Sequence, residues 1–136
     1  MLLSAQQAAN LPQVSVYKTS TCGCCKIWIE HLKKNGFAVT ATDVPNVAEY
    51  RHKYGVPVGM QSCHTAVVNG YTIEGHVPAA EIQRLLKSGS KAKGLAVPGM
   101  PIGSPGMEVG SRVDPYEVLL FDSQGKTSVY QKYPRE

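Results

Sequence analysis

A change of period at a cluster of cysteines constrains this chain most. In "QVSVYKTS" the apolar Val14 and Val16 alternate with Ser15 and Tyr17, the two-residue period of a strand. Past "TCGCC" the spacing changes. Cys25, Ile29 and Leu32 fall on one face of a helix with Trp28 beside them, and Lys33, Lys34 and Gly36 supply a basic last turn and a stop. A strand running straight into a helix leaves Cys22 at or just before the helix N-terminus, where unpaired N–H groups and the helix dipole favour a thiolate. Cys25, three residues on, lies within its reach. Strand–CxxC–helix is an arrangement shared by dithiol redox couples and metal clamps.

The remaining chain extends this beginning into a fold. "FAVTATDV" reads as a second strand, and "PNVAEYRHKYG" as a short helix with Asn46 as N-cap and Gly55 as stop. "TAVVNGYTIEG" is a hairpin about Asn69-Gly70, a pair that tolerates the positive φ angles of a type I′ turn. "VPAAEIQRLLKSG" follows as a helix with Pro78 near its first turn and Ile82, Leu85 and Leu86 inward. This order predicts an α/β, thioredoxin-like βαβ-α-ββ-α core: a βαβ unit with a parallel crossover, then antiparallel strands. Residues 89–115 hold six glycines and four prolines, show no helical or strand period, and repeat Pro-Gly-Met at Pro98–Met100 and Pro105–Met107. "YEVLLFDSQGKTSVYQKY" predicts an additional β-hairpin around Ser123-Gln124-Gly125, which pins the Gly/Pro/Met-rich stretch at both ends and favours an ordered flap over a tail.

With 136 residues, one domain over 14–136 can bury its own core without disulfide staples, preceded by a flexible N-terminus at 1–13. A net charge of +4 without any basic run argues against binding nucleic acid or a membrane surface by charge. No apolar run is long enough to cross a bilayer. The start, "MLLSAQQAANLPQ", reads equally as the remnant of a trimmed secretory signal behind an added Met1 or as a frayed terminus.

The third clustered cysteine, Cys24, stands where the "CGPCK" of a thioredoxin has proline. A free thiolate there would compete for a Cys22–Cys25 disulfide by exchange. For metal binding the same residue is useful: Cys24 and Cys25 point roughly 100° apart on a helix, poorly placed to chelate one ion and well placed to bind different ions through bridging sulfurs. Cys63, in "QSCHTAVV", precedes a strand about where a thioredoxin fold carries its cis-proline, and would aim its sulfur at the helix N-terminus. Soft thiolates and thioethers select Cu(I), which makes copper the expected metal over zinc or an iron–sulfur cluster. Met100 and Met107 on the flap, and more weakly Met60, are candidate thioether ligands or simply anchors that hold the flap down. His64, next to Cys63, and His76, in "EGHVP", are candidate ligands or donors behind the ligands. His31 and His52 read as surface residues. There is no Ser-His-Asp grouping, phosphate-binding glycine loop or paired-carboxylate signature.

The segments "VYKTSTCGCCKIWIEHLKKNGFAV", "GVPVGMQSCHTAVVNGYTIEGHVPA", "GLAVPGMPIGSPGMEVG" and "DPYEVLLFD" together resemble the CopG-type copper-resistance proteins, a family long classed as a domain of unknown function. The resemblance spans about Val14 to Tyr130. It implies a thioredoxin-like fold with added strands, a periplasmic location after signal removal, and copper handling alongside efflux or chaperone proteins. It also implies a thiolate-bridged copper cluster on Cys22, Cys24, Cys25 and Cys63, with a role in interconverting Cu(I) and Cu(II). The other reading is a thiol–disulfide oxidoreductase using Cys22 as nucleophile and Cys25 as resolving thiol. That reading predicts a stable Cys22–Cys25 disulfide and has no need of Cys24.

Overall fold

The computed structural model describes residues 11–134. The start of the chain up to residue 10, on which the signal-remnant reading rests, lies outside the described residues, and Leu11 packs partly buried against the core. The elements are β1 (Val14–Lys18), α1 (Gly23–Lys34), β2 (Val39–Asp43), α2 (Val47–Lys53), β3 (Thr65–Val68), β4 (Tyr71–Gly75), α3 (Ala79–Ser88), β5 (Gly94–Val97), β6 (Tyr116–Phe121) and β7 (Thr127–Tyr133). The seven strands form one mixed sheet in the order β2-β1-β3-β4-β5-β6-β7.

The βαβ crossover is present: β1 and β2 pair in parallel with Val14 opposite Val39. Asn69 at φ 49° and Gly70 at φ 85° make the turn that lets β3 and β4 pair antiparallel, with Thr65 opposite Glu74. The two-residue period sorts side chains between the faces of the sheet. Val14, Val16 and Ile73 join Trp28, Leu32, Ile82 and Leu85 in a core under α1 and α3. On the other face Tyr17 stacks on Tyr50 at 4.4 Å, and Thr72 and Glu74 bond to Tyr54 and Arg51 of the α2 segment. Asn46 caps α2 by accepting the Ala48 N–H at 3.0 Å.

One strand departs from the sequence reading. Gly94–Val97, placed in a stretch without strand period, is β5, parallel to β4 and antiparallel to β6. All four of its residues are buried, so "GLAV" shows no alternation, the pattern of a short strand enclosed on both faces. Gly94 is required there because a Cβ would collide with the Thr72 carbonyl. The expected hairpin is β6–β7, which extends the sheet beyond β5. His31, expected on the surface, is half-buried between α1 and α3 and accepts the Ala79 N–H through Nε2 at 3.0 Å. Pro78, the α3 N-cap, offers no side-chain acceptor, so the imidazole takes over that role. His52 is exposed on α2, as expected.

The topology brings several chain ends together. β1 ends where β3 begins, because those strands are antiparallel, and β4 and β5 end at the same edge. Four segments leave or enter the sheet there: Thr19–Cys22 into α1, Ser62–His64 before β3, His76 after β4, and the flap after Val97.

Candidate metal centre

The Sγ atoms of Cys22, Cys24, Cys25 and Cys63 all lie within 4.8 Å of one another. Cys22 is the N-cap of α1 with extended backbone and no side-chain cap bond, so its sulfur is free of the helix end. It forms a disulfide with Cys25. Cys24 stays a free thiol, 3.5 Å from Cys22 Sγ and 3.9 Å from Cys63 Sγ. Neighbours on one turn, Cys24 and Cys25 diverge as the helical period requires. Cys24 faces the Cys63 sulfur, whereas Cys25, fully buried, faces the Cys63 carbonyl and His64.

Two histidines close the cluster from the sheet side, and Cys63, His64 and His76 form a second group of donors within 4.8 Å of one another. His64 Nε2 lies 2.8 Å from the Gly75 carbonyl, and His76 Nδ1 lies 2.5 Å from the Pro105 carbonyl. A carbonyl only accepts, so those ring nitrogens carry the protons. The other nitrogens then present lone pairs to sulfur: His64 Nδ1 at 3.3 Å from Cys25 and 3.5 Å from Cys63, and His76 Nε2 at 2.9 Å from Cys63. Both rings are fully buried. Burial, reinforced by the neighbouring His76, pushes the His64 pKa down to about 3. Burial lowers that of His76 against the opposing pulls of the Pro105 carbonyl and Glu108. Burial, followed by the adjacent Cys24, pushes the Cys63 thiol up to about 12. Without a metal the Cys63 thiol and the two imidazoles are therefore neutral, and a cation bound by Cys63 would release its thiol proton.

Three further features hold the centre in place, and none was read from the sequence. Glu74, fully buried on β4, accepts from Arg51 Nε at 2.7 Å, Ser62 N at 2.8 Å and Thr65 Oγ1 at 2.5 Å, fixing the loop on both sides of Cys63. Arg51 also donates to the Ser62 carbonyl at 2.5 Å. The Trp28 ring lies 4.2 Å from the His64 ring and donates to the Val77 carbonyl at 2.8 Å. The only signal for Glu74 was a carboxylate inside an otherwise strand-like "YTIEG".

The flap is ordered and lies over the cysteines. Gly99 donates to Gln61 O at 3.1 Å and accepts from Ser62 Oγ at 2.5 Å, and Ser104, Pro105 and Gly106 are buried. A Cβ on Gly106 would stand 2.8 Å from the Cys24 carbonyl and 2.8 Å from His76 Nδ1. The candidate methionines flank the centre in sequence and differ in exposure: Met107, beside Gly106, and Met60 are half-buried, and Met100 is 46% exposed.

Fold and centre together define a mixed α/β protein whose sheet edge gathers four cysteines and two histidines. A family model described as a protein of unknown function, DUF411, matches residues 60–107, which include Cys63, His64, His76 and the flap. A solved structure titled "Copper resistance protein copG- Form 2" is 46% identical, with a TM-score of 0.87, covering 92% of this chain and 100% of that one. A second, titled "Copper resistance protein copG- Form 1", is 45% identical, with a TM-score of 0.87, over 93% of this chain and 100% of that one. No curated protein matches the chain. The chain belongs to the copper resistance protein CopG family.

Proposed function

We propose that this chain is a periplasmic copper-binding protein of a copper resistance system. On a thioredoxin-like core, Cys22, Cys24, Cys25 and Cys63 hold several copper ions through bridging thiolates, and the protein interconverts Cu(I) and Cu(II). The observation that carries this reading is the mutual proximity of all four sulfurs, within 4.8 Å, where a dithiol couple needs only two. Thiolates are soft donors suited to Cu(I), and the divergence of Cys24 from Cys25 favours ligation of different ions over chelation of one. Met107, Met100 and Met60 are the candidate thioethers to complete or shield such a site. Copper efflux or chaperone proteins are the expected donors and acceptors of the metal.

The Cys22–Cys25 disulfide belongs naturally to this function. Its two thiols, on closing the S–S bond, release two electrons and two protons. Two Cu(II) ions take up the electrons to become two Cu(I), and the protons leave to solvent. The same disulfide is the bond required of a thiol–disulfide oxidoreductase, the second reading, in which Cys22 attacks and Cys25 resolves. Anaerobic titration of the fully reduced protein with Cu(I) tests the first reading: it is expected to saturate well above one copper per chain, and saturation at or below one overturns the cluster. Cys24→Ala separates the two readings, since it removes a bridging ligand but leaves the Cys22–Cys25 couple whole. Metal analysis of protein purified without added copper tests a zinc or iron–sulfur site.

A further inference from the structure

We infer that, with the Cys22–Cys25 disulfide closed, Cys63, His64 and His76 form a separate site for a single Cu(II) ion. The inference shares with the proposed function only the choice of copper as cargo and does not need the multi-copper cluster. Closing the disulfide removes two of the four thiolates, because a sulfur bonded to sulfur carries no ionisable proton. Of the two thiols that remain, Cys24 lies 3.9 Å from Cys63, and only Cys63 belongs to a group with the two imidazole nitrogens in which every donor is within 4.8 Å of the others.

The geometry suits one ion. Donors held at ordinary copper or zinc distances, with N near 2.0 Å and S near 2.3 Å, stand about 3.5 Å apart in a tetrahedron. Cys63 Sγ is 3.5 Å from His64 Nδ1 and 2.9 Å from His76 Nε2, so an ion needs the second pair to open by about half an ångström. Each imidazole is already oriented for ligation. The Gly75 carbonyl holds the proton of His64 on Nε2 and the Pro105 carbonyl holds that of His76 on Nδ1, which leaves the other nitrogen as a lone-pair donor toward the sulfur. A ligating histidine whose second nitrogen donates to a backbone carbonyl is the usual support behind a metal ligand. One thiolate with two imidazoles is also a donor set that accommodates Cu(II), whereas the all-thiolate set favours Cu(I). On binding, Cys63 gives up its thiol proton to solvent, a Cu–S bond forms, and no electron is transferred. Closing the disulfide thus leaves a harder donor set that suits one Cu(II) ion.

The test uses the full chain carrying Cys24→Ser, which cannot form a Cys24–Cys63 disulfide, oxidised so that Cys22–Cys25 is closed, and titrated with Cu(II). The expected result is one copper per chain with a thiolate-to-Cu(II) charge-transfer band and a single mononuclear Cu(II) electron paramagnetic resonance signal. His76→Gln in the same background is expected to weaken binding at least about tenfold. Cys63→Ser, at a half-buried position that keeps the fold, should abolish the band while the circular dichroism spectrum is unchanged. Absence of a charge-transfer band in the oxidised Cys24→Ser protein overturns the inference, as does a band that survives Cys63→Ser. Failure of the Cu(I) titration of the reduced wild-type protein bears on the cluster alone.

Discussion

Arg51 and Glu74 meet at 2.7 Å with the glutamate side chain wholly out of solvent, and both then bond to Ser62, the residue before Cys63. Burial pushes the Glu74 carboxyl up, against the pulls of Thr65, Ser62 and Arg51, so the pair is better understood as a clamp on the cysteine loop than as a source of stability. Removing one partner should be far worse than removing both. Arg51→Met, which leaves the Glu74 carboxylate buried beside an apolar chain, is expected to cost about 3 kcal/mol in urea unfolding. The double variant Arg51→Met with Glu74→Met should cost much less than the sum of the singles. Additive losses would show that the clamp is not a coupled unit. In the double variant, copper stoichiometry should fall although all four cysteines remain, because Cys63 is no longer held.

Most of this architecture was legible in the chain, for reasons that differ by element. β1, α1 and the Asn69-Gly70 hairpin carry strong local signals: alternation, a one-faced apolar stripe, and a turn that needs positive φ. β5 carries none, since four enclosed residues have no polar face to alternate with. The cysteines announced themselves by spacing and by the third sulfur. The roles of His31, Arg51 and Glu74 did not, because each depends on a partner 48 or 23 residues away that only the packed sheet brings near. His64 and His76 were visible as residues near the cysteines. Their orientation was not, since it is set by two backbone carbonyls, one of them on the flap.

The flap is closed by contact at Gly106, and a single methyl group should open it. At φ 93° an alanine is strained, and its Cβ would also press on the Cys24 carbonyl and His76 Nδ1, each at 2.8 Å. Gly99→Ala serves as the control: its φ of 70° is also positive, but nothing lies within 4 Å of an added Cβ. Both substitutions carry the backbone cost of about 1–2 kcal/mol. Only Gly106→Ala should break the His76–Pro105 bond and accelerate alkylation of Cys24 and Cys63. Equal alkylation rates in the two variants would mean that the flap does not shield the thiols.

Acid should destabilise the copper-free protein before its carboxylates titrate. His64, His76 and His31 all have their pKa lowered from 6.5, chiefly by burial. A histidine with a depressed folded pKa is neutral in the native state but charged in the unfolded chain below 6.5. Its contribution to stability is therefore intact above that pH and is lost as pH falls toward the folded value. For His64 this window runs from 6.5 down to about 3. Each proton taken up on unfolding should contribute a slope of about 1.4 kcal/mol per pH unit, read from urea midpoints at a series of pH values. His31→Gln, which keeps a side-chain acceptor available to the Ala79 N–H without a titrating ring, should make the slope shallower. An unchanged slope would remove His31 from the account.

Trp28 offers an internal reporter for the centre, since it is the sole tryptophan of the chain and its ring lies 4.2 Å from that of His64. A paramagnetic, redox-active ion bound at His64 Nδ1 would sit within van der Waals range of the indole's neighbour and should quench its emission strongly. Zn(II) at the same donors lacks that route and should alter the emission only slightly. The indole N–H donates to the Val77 carbonyl at 2.8 Å, which fixes the ring and makes rotamer change a poor alternative source of the signal. Quenching by Cu(II) in the oxidised protein should track the charge-transfer band of the Cys63 thiolate point for point and be lost in Cys63→Ser. Quenching that persists in Cys63→Ser would place the copper elsewhere on the surface, and the reporter would then argue against an ion among Cys63, His64 and His76.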